Sequence, residues 1–68
     1  MPTAEQLQAL AKKSPDTLAS AFCKSLRGSY PSVTPAECKA HIEASLRGEA
    51  PKGIIAMFID GWMKDGTN

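Results

Sequence analysis

The thiols and the imidazole of this 68-residue chain, the groups most used in redox and zinc chemistry, are Cys23, Cys38 and His41. Cys38 and His41 are three positions apart, so on a helix they share one face a turn apart. Cys23 would be a third ligand if its helix folds back against theirs. A structural zinc site wants four ligands, usually in closely spaced pairs. The sequence holds no second pair, and Glu37 or Glu43 would have to complete the set. The expectation is therefore no metal and no cofactor. Nucleophilic catalysis by either thiol with His41 as base lacks a third, orienting group. No phosphate loop, dinucleotide fingerprint or carboxylate constellation occurs, and a short helical chain offers little concave space. No catalytic residues are assigned, and the chain reads as a non-enzyme.

Those residues sit on helices that the punctuation marks out. Thr3 with Gln6 three residues on has the spacing of a capping box. Leu7, Leu10 and Ala11 follow as a narrow apolar stripe. Ser14-Pro15-Asp16 is a second start, with a cap, a proline at the first helical position and an acid facing the positive end of the dipole. Leu18, Phe22 and Leu26 give that helix its inward face, and Gly28 is expected to close it in a left-handed conformation. Thr34-Pro35-Ala36-Glu37 is the strongest start signal, with Val33 and Cys38 placed for a hydrophobic staple. Cys38, Ile42, Ser45 and Leu46 continue inward to Gly48. A last helix is expected from Pro51.

The expected fold is all-α: a small single-domain bundle of four short helices near 3–13, 15–27, 35–47 and 51–64. The middle pair forms a central antiparallel hairpin. Cys23 and Cys38 are then nearly equidistant from the turn, although Cys23 falls towards a flank of its helix. Both are expected to be thiols. No apolar run follows Met1, and no stretch approaches the ~18 apolar residues of a membrane span, so a cytoplasmic protein without membrane attachment is expected.

The segment from Pro15 to Pro31 also overlies Pro35 to Pro51 at a shift of twenty residues, matching Ser25/Ser45, Leu26/Leu46, Arg27/Arg47 and Gly28/Gly48. Two helices of equal length need similar start and stop residues, which accounts for every coincidence except the serines; an internal duplication is the alternative.

Net charge is +1, and no basic run is longer than Lys12-Lys13. Nucleic-acid binders gain much of their affinity from phosphate contacts, so a balanced chain is a poor candidate. The set available for that reading is Lys24, Arg27, Lys39 and Arg47. The loop after Gly28 is too long for a helix-turn-helix, and arginines at helix C-termini stand at the wrong end to hold an anion.

The surplus lies in Gly53–Met63, GIIAMFIDGWM, which holds the only Trp and one of two Phe. At 100° per residue, Ile54, Phe58, Trp62, Ile55, Ile59 and Met63 cover an arc of roughly 180°, against the ~100° a surface helix buries. Met57 falls outside that arc, on the polar side. Three thin neighbours can absorb Ile55, Phe58, Ile59 and Trp62 as core, but they are hard pressed to cover everything. The sequence therefore points to an apolar helix face offered to a protein partner or a second copy, with Met57, Trp62, Met63 and Ile54 as the contact residues. A nucleic-acid-binding regulator is the alternative.

Overall fold

The computed structural model describes residues 2–67. Its helices are α1 (Ala4–Lys13), α2 (Pro15–Leu26), α3 (Pro35–Leu46) and α4 (Ile54–Asp65). No strand occurs among the described residues. The all-α bundle expected from the punctuation is what forms. Extents of 27 × 23 × 21 Å mean that the helices are stacked on one another rather than strung out.

The N-terminal caps explain most of the boundaries. Thr3 Oγ1 accepts from the Gln6 amide at 3.2 Å and Gln6 Oε1 accepts from the Thr3 amide at 3.0 Å, a complete capping box. Thr34 Oγ1 likewise accepts from the Glu37 amide at 3.1 Å. Glu37 does not return the bond; its carboxylate lies 3.6 Å from His41 Nε2 instead. Ser14 stands at the cap of α2 but caps nothing with its side chain, whose hydroxyl is 2.8 Å from that of Thr17. Pro15 and Pro35 open their helices as the missing N–H allows.

One glycine corrects the sequence reading and another agrees with it. Gly28 is not left-handed; the chain leaves α2 through Arg27 in a helical conformation, with the Tyr30 amide bonded to the Leu26 carbonyl at 2.8 Å. Gly48 is left-handed, at φ 78°. There the Glu49 amide reaches the Ala44 carbonyl and the Gly48 amide the Ser45 carbonyl, which is a Schellman motif. The twenty-residue match is thus one of letters at this point, and shared capping does not account for the glycine pair. α4 also begins later than expected. Pro51 is outside it, and Gly53 stands at its N-cap with no side-chain hydrogen bond.

The core draws on every helix: Leu7 and Ala11, Leu18 with Phe22, Cys23 and Leu26, Cys38 and Ile42, then Ala56, Ile59 and Met63. Val33 joins them from the loop, completing the staple with Cys38 at the start of α3. Leu46, read as inward, is exposed instead, and Ala21 and Ser25 face solvent. Asp16 and Lys39 pair at 3.1 Å between α2 and α3. α1 closes the far side by donating from Gln8 Nε2 to the Met63 carbonyl at 2.8 Å.

The end of α4 packs directly on the start of the chain. Gly66 has φ 86°, and a Cβ there would meet the Pro2 carbonyl oxygen at 3.0 Å and the Ala4 nitrogen at 3.3 Å. Both neighbours are backbone, so neither can swing away. Gly66→Ala is expected to cost about 1–3 kcal/mol through the strained dihedral and the contact together. Chemical denaturation reads this directly, and an unchanged midpoint would mean that the two chain ends do not meet as described.

Candidate interaction surface

α4 presents two different faces, and the division is not where the sequence placed it. The buried side is Ile59, Met63 and Ala56, with Ile55 and Trp62 half-buried beside them. Met63 is 1% exposed and therefore cannot contact a partner, contrary to its assignment from the helical wheel. Phe58, assigned to the core, is 42% exposed. Ile54 and Met57 are exposed as expected, at 54% and 62%.

These three residues adjoin on the helix surface. Ile54 lies a turn before both Met57 and Phe58, and together with Gly53 they line one open apolar depression. Phe58 continues the surface inward through aromatic contacts. Its ring centroid is 6.0 Å from Tyr30 and 6.1 Å from Trp62, and Trp62 packs tilted against buried Phe22 with the centroids 4.8 Å apart. Trp62 is thus the link between the exposed cluster and the core, held by its neighbours rather than offered outright.

Gly61 belongs to the same face. By helical geometry it lies between Met57 and Ile54, with Asp65 beside Phe58 one turn further on. A Cβ on Gly61 would meet nothing within 4 Å among the described residues. Glycine inside a helix costs about 1 kcal/mol relative to alanine, and no neighbour among the described residues requires it here.

A cleft of about 400 Å³ lies between α3 and α4, with His41, Ser45 and Asp60 among alanines on its walls. These are the residue types of a catalytic triad in a different arrangement. Ser45 Oγ donates to Asp60 Oδ1 at 3.0 Å, and Asp60 Oδ2 is 3.0 Å from Lys64 Nζ. The lysine hydrogen bond, assisted by Ser45, holds the Asp60 carboxyl below its usual range against the opposing effect of burial. A carboxylate so held is a weak base, and His41 is engaged with Glu37 rather than with Ser45. The group joins α3 to α4.

The thiols meet although Cys23 was read as a flank residue. Both are buried and free. Cys23 Sγ donates to the Val33 carbonyl at 3.5 Å, and Arg27 Nε donates to the same oxygen at 3.3 Å. No three His, Cys, Asp or Glu side chains are grouped to hold a metal ion among the described residues. Burial first, then the neighbouring Cys23 thiol, pushes Cys38 from an ordinary 9.0 up to about 11. The native state therefore holds this proton where the unfolded chain has lost it. Its stabilising effect is whole below pH 9 and is lost as pH rises through 11. Unfolding free energy should fall over that window, and fall less in Cys38→Ala; equal slopes would mean that Cys38 ionises freely in the native protein.

The two methionines separate the faces by substitution. Met57→Lys should change stability by no more than about 0.5 kcal/mol, whereas Met63→Ala should cost about 2–5 kcal/mol. Equal effects in thermal denaturation would contradict the division of α4. Set against protein-family models, curated proteins and solved structures, the chain matches none.

Proposed function

We propose that this chain is a small non-enzymatic interaction or regulatory module that offers the apolar face of α4 to a protein partner. The observation that carries the reading is the cluster of Ile54, Met57 and Phe58, three adjoining large apolar side chains left in solvent. Isolated exposed apolar residues are ordinary, but a contiguous group beside aromatic rings suits an adaptable contact. Phe58 replaces Met63 among the proposed contact residues, and Trp62 supports it from behind. A cytoplasmic setting is consistent with two cysteines that are both free thiols.

The alternative, nucleic-acid binding through Lys24, Arg27, Lys39 and Arg47, draws less support. Lys39 is paired with Asp16, Arg47 with Glu49 at 2.6 Å, and Arg27 is bonded to the Val33 carbonyl. Phosphate binding would have to break these contacts.

Photo-cross-linking tests the two readings together. A cross-linking phenylalanine analogue in place of Phe58 should give a protein adduct in cells that make this chain, and the same group in place of Lys24 should give none. Capture should survive moderate salt, where nucleic-acid binding collapses. A nucleic-acid adduct from position 24, with nothing from position 58, would reverse the assignment.

A further inference from the structure

We propose that the partner on this face is a second copy of the same chain, with the two α4 helices packed antiparallel about a two-fold axis. The proposal rests on the reading of α4 as a contact surface and adds its occupant.

The spacing of the stripe matches itself across a two-fold axis. Ile54, Phe58, Gly61 and Asp65 are spaced four, three and four residues apart, so the pattern reads the same from either end. A two-fold axis between Phe58 and Gly61 sets Phe58 of each copy over Gly61 of the other. The ring then lies on bare backbone, which gives Gly61 the purpose it lacks within one chain, where its missing side chain faces open space. Met57 packs beside this contact.

Charge agrees with the same direction. Lys52 precedes α4 and Asp65 ends it; both are exposed, and neither has an ion-pair partner within 4 Å among the described residues. Lys52 lends only a minor attraction to Glu49, which is already bonded to Arg47. Antiparallel packing brings Asp65 of one copy to Lys52 of the other, twice over. It also places that carboxylate near the first turn of α4, where Gly53 provides no side-chain cap. Parallel packing would set lysine on lysine and aspartate on aspartate.

The contact is small. α4 is 12 residues, about 18 Å long. A standard interface takes roughly 800 Å² from each partner, a large share of this chain's 4335 Å². The α4 stripe falls short of that, so the dimer belongs to the reversible class.

Light scattering of the full chain from micromolar to millimolar concentration provides the test. The mass should climb from 7.2 kDa towards twice that value. Lys52→Glu and Asp65→Lys should each weaken association about tenfold, and the double variant should recover it, because the reversed charges meet again across the axis. Gly61→Leu should abolish the dimer without lowering the melting temperature, while Gly61→Ala, a check on the fold, should raise it. A mass fixed at 7.2 kDa up to millimolar concentration would overturn the proposal, as would dimerisation that the double charge reversal fails to restore. A persistent monomer whose position 58 still cross-links to another protein would remove only the second copy. A monomer with no adduct would remove the contact reading as well.

Discussion

The rotational setting of α4 is the constraint on which the rest depends. The apolar arc of this helix, taken alone, would centre between Trp62 and Ile55. The buried arc instead centres near Met63, a roll on the order of 80°. Two polar bonds pin it there. Ser45 donates to Asp60 on the side facing α3, and Gln8 donates to the Met63 carbonyl on the side facing α1. Rolling α4 back to bury Phe58 and Ile54 would break the bond to Asp60, which is half-enclosed and already holds Lys64. The apolar surplus is therefore left at one edge, where it forms a surface, instead of being spread around the helix.

Packing follows from that setting. α4 meets α3 through small side chains, Ala56 on one helix with Ala44 and Ser45 lining the same cleft on the other. On its opposite flank the aromatic rings Phe22, Trp62 and Phe58 run from core to solvent, and half-buried Tyr30 stands beside Phe58. The series is continuous, so the exposed end rests on side chains that cannot easily move. Both α2 and the loop before α3 hold this flank, the loop by means of the Val33 carbonyl and its bonds to Cys23 and Arg27.

Much of the fold was legible from local chemistry. Capping threonines, N-terminal prolines and the Val33–Cys38 staple act within a few residues, so their meaning does not wait on tertiary structure. Met57 was also legible as an outlier, since its place on the wheel opposes any apolar stripe. The start of α4 was not, because Pro51 and Gly53 both punctuate and only packing decides between them. Gly28 and Gly48 share identical flanks in Leu-Arg-Gly, yet only Gly48 turns left-handed. After Gly28 the Tyr30 amide bonds back to the Leu26 carbonyl and the Tyr30 side chain packs against the core. Phe58 and Met63 exchanged roles for one reason: the wheel orders side chains around an axis but says nothing of how that axis is rolled. Polar residues fixed the roll, and an apolar pattern could not reveal them.

The most direct test of this setting is the solvent exposure of the two α4 methionine methyls in dilute monomeric protein. With carbon-13 labelled methionine and a soluble paramagnetic probe, the Met57 methyl signal should broaden strongly while that of Met63 stays sharp. Equal protection of both methyls would mean that α4 is rolled differently and that no apolar face is left to bind. Equal broadening would mean that Met63 is not in the core at all.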